Sequence, residues 1–332
     1  MRYPLGLSLS MAWHLARKKL QGVRRFPLVL MLEPTHRCNL ACQGCGRIRE
    51  YKDTLDREMS VLECLKAAYE CDAPIVSVCG GEPLLYPRIG ELVQELITAR
   101  RYVYLCTNGL LLRENLPKFA PRPEFIINVH VDGLAPTHDR LCGREGVFND
   151  ILEGIREAKR LGFLVCTNTT IYRGTDLAEV ERLFDLLALT GVDGFLISPG
   201  FAYEVAKQDV MIEREEMNRH FARIGALAKR YSLWNTPLYL AFLAGKMDLT
   251  CVPWGNPTRT PMGWRSPCYL VCERHYPRFA DLMEQTDWSR FTDGRNPACR
   301  NCRVHSGFEP AAVMAAMSSF RSLAKMLRWT HI

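Results

Sequence analysis

The sequence lacks any uncharged apolar run of the about 18 residues that a membrane-spanning helix needs, so an integral membrane protein is not expected. It also lacks internal repeats and low-complexity tracts. With 48% hydrophobic and 24% charged residues, the chain is neither intrinsically disordered nor collagen-like. The first ten residues hold one Arg, and no long apolar core or small-residue cleavage site follows. A secretory signal is therefore not expected, and a reducing cytoplasm is. Acidic side chains are missing from residues 1–32, which hold Arg2, Arg17, Lys18, Lys19, Arg24 and Arg25. The net charge of +7 thus sits in an N-terminal arm, and the other 300 residues carry only +1. Such a near-neutral body, with no aromatics interleaved along a basic groove, argues against a nucleic-acid partner.

What is abundant is cysteine, 14 residues in 332. In a reducing compartment these thiols read as metal ligands, catalytic groups or small buried hydrophobes rather than disulfides. Residues 8–20 read as a helix with Ser8 or Ser10 as N-cap. Leu9, Trp13, Ala16 and Leu20 fall on one face, and His14, Arg17 and Lys18 on the other. Apolar runs of strand length follow at 27–33, 75–79, 102–106, 125–131, 164–170 and 194–199. They alternate with helix-like segments at 60–71, 88–100, 148–161, 176–190 and 214–233. That rhythm predicts an α/β fold, a partial (β/α)6 barrel over 27–235 behind a basic arm of 1–26. Segment 236–310, rich in Cys, Pro, Gly and Trp around 251–310, reads as a small loop-rich domain that needs a metal to hold it. The tail, 311–332, reads as a short helix with Arg321, Lys325 and Arg328 and no acid.

The loop after the first strand reads Cys38-Asn-Leu-Ala-Cys42-Gln-Gly-Cys45. Three thiolates at this spacing can converge on one iron–sulfur cluster and leave one iron open for a substrate's amine and carboxylate. A zinc knuckle is the plainer alternative. The second strand ends in Gly80-Gly81-Glu82-Pro83, where glycines let a backbone approach a ligand and Glu82 can pair with an amine. Later strand ends offer Thr107, Asn108, Asn128, His130, Asn168 and Ser198 to the same cavity; His130 also reads as a structural histidine. Cys251 and Cys268, with Gly263 between them, and then Cys299 and Cys302, form a second four-thiol set. It suits an iron–sulfur cluster or zinc. Cys272 and His305 lie nearby and are not assigned as ligands.

The three-cysteine loop with its GGEP element resembles the radical S-adenosylmethionine (SAM) superfamily, and the four-cysteine set resembles that superfamily's twitch extension. Over about 20–310 the chain is similar to the hopanoid-biosynthesis group of adenosylhopane synthases. The similarity is carried by Phe26–Pro34, Val103–Asn108, His130–Gly133, Ser198–Gly200, Pro253–Thr258, Pro267–Leu270, Gly294–Pro297 and Gly307–Pro310. The chain departs from that group at Ser306, where the group often has cysteine.

The resemblance implies a [4Fe-4S] cluster on Cys38, Cys42 and Cys45, and SAM held by the GGEP element. It also implies a second cluster, with zinc as the alternative, on Cys251, Cys268, Cys299 and Cys302. The implied reaction is reductive cleavage of SAM and addition of the 5′-deoxyadenosyl radical to the terminal alkene of diploptene. Cys106 would quench the resulting carbon radical, against a plainer reading as a buried thiol. An electron donor such as flavodoxin or ferredoxin would be a partner. So would the inner membrane face, reached through the basic arm, with Trp13 and Leu20 opposite Arg17 and Lys18, and through the C-terminal helix. A twitch-type dehydrogenase or peptide modifier that releases free 5′-deoxyadenosine is the alternative activity. Cys64, Cys71, Cys79, Cys142 and Cys166 read as buried thiols. Phe195, Phe201, Tyr203, Trp254 and Trp264 are the candidates for a lipid pocket.

Overall fold

The computed structural model describes residues 3–201, 210–292 and 295–331. Six parallel strands, hydrogen-bonded in chain order, make the body. They are β1 (Val29–Leu32), β2 (Ile75–Val78), β3 (Tyr102–Thr107), β4 (Phe125–His130), β5 (Leu164–Ile171) and β6 (Gly194–Pro199). Successive side chains of a strand point to opposite faces. Leu30, Leu32, Val76, Val78, Val103, Leu105, Val129 and Val165 fill one face and are fully buried beneath the connecting helices. Each such side chain contributes about 1.5–3 kcal/mol by burial. The alternate positions, among them Ser77, Tyr104, Cys106, Asn128 and Cys166, share the concave face of the partial barrel.

The same sheet continues past β1. Strand β7 (Thr258–Thr260) runs parallel to β1, and β8 (Gly263–Pro267) and β9 (Cys272–Tyr276) follow antiparallel. The segment expected to be loop-rich therefore carries three strands and a core, with Trp264 packed on Phe279 and Trp288 on Trp254. Its Cys, Gly and Pro content hides strands of only three to five residues, too short for periodicity to register. The helix expected over 214–233 ends at Leu227. Beyond it the chain is extended, and Leu233 bridges Phe195 of β6 in parallel. From the helix His305–Ser318, the Glu309 carboxylate accepts from Asn235 Nδ2 at 3.0 Å and Thr236 N at 3.1 Å. The C-terminal region thus touches both edges of the six-stranded sheet. A second helix, Phe320–His331, ends the chain where a single short one was expected.

The N-terminal helix α1 (Leu5–Leu20) begins after Pro4, so Ser8 and Ser10 lie inside it and cap nothing. Its two faces separate as the sequence pattern predicts, with His14, Arg17 and Lys18 turned to the body. Leu7 packs on Ile126, Cys166 and Trp234 near the N-terminal ends of the strands. His14 Nε2 meets the Pro27 carbonyl at 2.9 Å. Arg17 and Lys18 reach Asp72 at 2.6 and 2.8 Å, so they hold the helix to the body instead of facing outward. Leu5, Leu9, Trp13 and Leu20 are its exposed large apolar residues. Burial alone would raise the Asp72 pKa, but the hydrogen bonds and charges of Lys18 and Arg17 bring it below the usual value. The stabilisation this gives is present above the unfolded carboxyl's pKa and is lost as pH falls through the depressed one. We expect Asp72→Ala to cost about 1 kcal/mol. Thermal unfolding and faster amide exchange confined to α1 would show it; unchanged exchange there would mean the ion pairs contribute nothing.

Candidate active site

The site forms where β1, β2 and β3 end. Cys79 N donates to the Leu32 carbonyl at 2.8 Å, and the chain leaving β1 then lies against the Gly80-Gly81 turn. Gly81 N bonds the Thr35 carbonyl at 3.2 Å and Glu82 N the Arg37 carbonyl at 2.7 Å. Gly80 has φ +119°, and a Cβ there would strike the Thr35 carbonyl; one on Gly81 would strike the carbonyls of Arg37 and His36. The two glycines are required by the backbone that enters the cysteine loop, not only by a ligand as expected. Pro83 follows as the first residue of a short 3-10 turn.

Glu82 is buried, and its carboxylate faces protein. Oε1 accepts from Thr107 Oγ1 at 2.7 Å and Leu84 N at 3.0 Å, and Oε2 from Asn108 N at 2.8 Å. Burial lifts its pKa to about 7, opposed by those hydrogen bonds. Expected as a partner for an amine, Glu82 joins the end of β2 to the end of β3. Asn108 extends the link: its Nδ2 donates to Asn39 Oδ1 at 2.8 Å and lies 4.0 Å from Cys38 Sγ. Asn108 therefore holds the cysteine loop, and Thr107 holds Glu82.

Cys38, Cys42 and Cys45 are close enough that each thiol's ionisation opposes the next. Burial pushes the Cys38 thiol up to about 12 and also raises Cys45. Cys42 is raised first by a hydrogen bond with Cys142 and then by burial. Cys142, expected to be a mere buried thiol, stands at the end of the helix Ala135–Cys142, with His138 Nε2 3.4 Å from its sulfur. Nothing in the spacing placed it beside Cys42, because the contact spans one hundred residues. Leu40 N also donates to Cys38 Sγ, at 3.5 Å. Clustered thiols with N–H groups aimed at sulfur suit an iron–sulfur cluster held by thiolates. Among the described residues no three His, Cys, Asp or Glu side chains form a closed metal-holding group; the thiols are gathered as neighbours.

Cys106 lies on the concave face one residue before Thr107. Its sulfur is 3.1 Å from Ser77 Oγ and accepts from Asn128 Nδ2 at 3.4 Å. Asn128 Oδ1 in turn accepts from Cys166 Sγ at 3.4 Å. Asn128, expected to contact SAM, is thus committed to two sulfurs. Burial raises the Cys106 pKa, against the hydrogen bonds of Ser77 and Asn128, which keeps the S–H intact at neutral pH.

His130 ends β4 with Nε2 2.7 Å from Asp132 Oδ2. Burial lowers its pKa, but the Asp132 charge and hydrogen bond prevail and raise it to about 9. Asp132 is itself fixed by Thr170 N at 2.7 Å. Asn168 pairs in register with His130, and Ser198 with Thr170, so both stand at the neighbouring strand ends.

Sequence reasoning missed a charged cluster opposite. Glu33 is fully buried directly after β1. Arg47, in the short helix Arg47–Glu50, lies with Nε 3.1 Å from Glu33 and Nη1 2.8 Å from Glu50, and its guanidinium is 4.1 Å from the Tyr269 ring centre. Arg265 of β8 reaches Glu50 at 2.6 Å and bonds the Tyr51 hydroxyl. Burial raises the Glu33 pKa, and Arg47 and Arg265 oppose that. The chain order spreads these six residues over three segments, so no motif announced them.

In the C-terminal region, Cys251 has Cys302, Cys268 and Cys299 as electrostatic neighbours, so the four expected ligands share one locality. Gly307 leaves room for the Cys251 sulfur at the start of the helix His305–Ser318. Cys272 lies instead 3.9 Å from the His275 ring nitrogens. Of the pocket candidates, Phe195 packs on Phe184 and Tyr231, and Trp264 on Phe279, both in the core. Trp254 lies against Trp288 and Arg25, Phe201 is half-buried, and Tyr203 lies outside the described residues, as does Gly294.

A parallel partial barrel that gathers three loop thiols and a buried glutamate at the strand ends is an α/β arrangement suited to holding an iron–sulfur cluster there. Residues 32–187 match the Radical SAM superfamily, and residues 195–326 match a domain of unknown function, DUF3463. Residues 32–187, just under half of the chain, are thus similar to the Radical SAM superfamily, a similarity that implies a 4Fe-4S cluster and SAM, and residues 195–326 are similar to DUF3463. It is 32% identical over 178 residues to the GTP 3′,8-cyclase of Peptoclostridium acidaminophilum, covering 52% of this chain and 54% of that protein. It is 30% identical over 168 residues to Molybdenum cofactor biosynthesis protein 1 of Bos taurus, covering 48% of this chain and 26% of that protein. The chain thus spans about half the length of the cyclase and about a quarter of the bovine protein. The fold is similar to that of Streptococcus suis SuiB bound to S-adenosylmethionine. The TM-score is 0.60 at 16% identity, over 88% of this chain and 71% of SuiB.

Two outcomes follow from this geometry. Gly81→Ala forces the cysteine-loop backbone away and is expected to destabilise the chain by about 1–3 kcal/mol, with iron content after anaerobic reconstitution falling in parallel; full iron loading would show that the loop tolerates the shift. The His130–Asp132 pair contributes stability that is complete below the unfolded imidazole's pKa and is lost as pH rises through about 9. We expect the stability difference between the wild type and His130→Asn to shrink by on the order of 1–3 kcal/mol between pH 6.5 and 9.5. A difference independent of pH in denaturant titrations would refute the charged pair.

Proposed function

We propose that the chain is an adenosyltransferase that joins the 5′-deoxyadenosyl group of SAM to the terminal alkene of diploptene, giving adenosylhopane. The observation that carries this is the Cys106 thiol, held on the concave face by Ser77 and Asn128 one residue before the Glu82-anchored turn. Cys38, Cys42 and Cys45 would hold the 4Fe-4S cluster, and the strand-end backbone would orient SAM. When bound, these groups supply the 5′-deoxyadenosyl radical. Its addition to a 1,1-disubstituted alkene forms one C–C bond and leaves a tertiary carbon radical. Cys106 gives that carbon its hydrogen atom and is left as a thiyl, which one electron and one proton return to the thiol. The electron comes from a donor such as flavodoxin or ferredoxin. Asn128 donates to the sulfur while Cys166 fixes the amide, so these two contacts leave the Cys106 hydrogen on its sulfur, beside the Ser77 hydroxyl. Cys251, Cys268, Cys299 and Cys302 would hold a second iron–sulfur cluster, with zinc as the alternative.

A second reading is favoured by Glu33, whose buried oxygens lie near Arg47 and Arg265 on the same side of the barrel. Such a cluster suits a polar substrate, and the adenosyl group would then leave as free 5′-deoxyadenosine, as in a dehydrogenase or peptide modifier.

The anaerobic reconstituted protein, given SAM, a reductant and diploptene, is expected to form an adenosyl–hopane adduct by mass spectrometry. In D2O that adduct should gain one deuterium at the quenched carbon. Cys106→Ala is expected to lower saturated adduct by about 100-fold or more while SAM is still cleaved, on the scale of losing a catalytic hydrogen donor. Free 5′-deoxyadenosine with no adduct supports the second reading.

A further inference from the structure

Thirteen large apolar side chains stand exposed among the described residues, and seven of them lie on only two helices. On α1, Leu5, Leu9, Trp13 and Leu20 are 56%, 61%, 68% and 85% exposed. At 100° per residue they share an arc of about 80°. On the helix Phe320–His331, Phe320, Leu323 and Leu327 form a second stripe. Neither stripe comes from a loosely attached helix. The opposite face of α1 is fixed by Leu7, His14 and the Asp72 ion pairs. The terminal helix packs Met326 and Trp329 on the core. Both helices are fastened at one joint: Tyr3 OH donates to the Trp234 carbonyl at 2.7 Å, and Trp329 Nε1 to the Asn235 carbonyl at 3.0 Å.

Charge decides what covers these stripes. Residues 1–32 and 320–332 hold nine basic side chains and no acid, so residues 33–319 carry a net charge of −2 within a chain of +7. With Arg17 and Lys18 engaged by Asp72, the exposed cations of these segments among the described residues are Lys19, Arg24 and Arg25 (over the Trp254 ring) beside α1, and Arg321, Lys325 and Arg328 on the terminal helix. A second copy seated on this face would set cations against cations, because a two-fold interface pairs a patch with itself. An apolar stripe flanked by basic residues matches the acyl boundary and headgroups of an anionic bilayer. We propose that α1 and the helix Phe320–His331 together form a docking surface for anionic lipid membranes.

The test is sedimentation of the full-length protein with vesicles of phosphatidylglycerol and phosphatidylcholine in equal parts, and with phosphatidylcholine alone. The mixed vesicles are expected to carry the protein down, and added salt to release it. Replacing Arg321, Lys325 and Arg328 by Gln together should lower the partition coefficient on the order of a hundredfold. Trp13→Ser with Leu20→Ser should lower it about tenfold or more, at an unchanged unfolding midpoint. Protein that stays in the supernatant, variants that sediment like the wild type, or equal binding to phosphatidylcholine alone overturns the proposal. So does a dimer in light scattering that the Trp13→Ser, Leu20→Ser variant abolishes. The vesicles contain neither SAM nor hopene, so this result stands or falls apart from the reaction proposed above.

Discussion

The Glu82 carboxylate is the constraint on which the site depends. It is buried, and it accepts from a backbone amide of its own turn, from the Thr107 hydroxyl and from the Asn108 amide. A buried carboxylate without such partners is costly enough that it would neutralise instead. These three bonds bring the ends of β2 and β3 together, and Asn108 carries the link on to Asn39 and the Cys38 sulfur. On the other side of the turn, Gly80 and Gly81 let the chain leaving β1 pass within backbone hydrogen-bonding distance. The position of the cysteine loop is therefore set by polar bonds to two neighbouring strand ends. The loop's own sequence, rich in glycine and cysteine, could not fix it.

The barrel sorts chemistry by face. The helix-covered face is aliphatic and contributes most of the burial energy. The concave face carries thiols, amides and hydroxyls that satisfy one another: Ser77, Cys106, Asn128 and Cys166 form one chain across four strands. Buried polar groups hold a single arrangement when each has a partner. Here that rule fixes where the Cys106 sulfur sits. Opposite lies the ionic cluster of Glu33, Arg47, Glu50 and Arg265, which ties the cysteine-loop side of the barrel to β8. The C-terminal region is therefore joined to the site by charge as well as by sheet hydrogen bonds.

The terminal helices show how the same side chains can serve two ends. Arg17 and Lys18 read as surface cations in one dimension, yet Asp72 faces them because α1 crosses the strand starts. Their use inward is what turns Trp13 and Leu20 outward.

By itself the sequence determined the βαβ rhythm, because strands and helices of ordinary length leave a periodic apolar signature. It determined the two cysteine sets and the GGEP turn, because those motifs are local and the chemistry constrains their spacing. Short strands such as Thr258–Thr260 left no such signature, and their pairing with β1 is a contact over more than two hundred residues. Only the tertiary structure decided that Glu82 and Asn108 serve the loop, that Cys142 meets Cys42, that Glu33 faces Arg47, and which way α1 turns. Each of those facts depends on two segments far apart in the chain meeting with a particular side chain inward, and the packing of the sheet sets that.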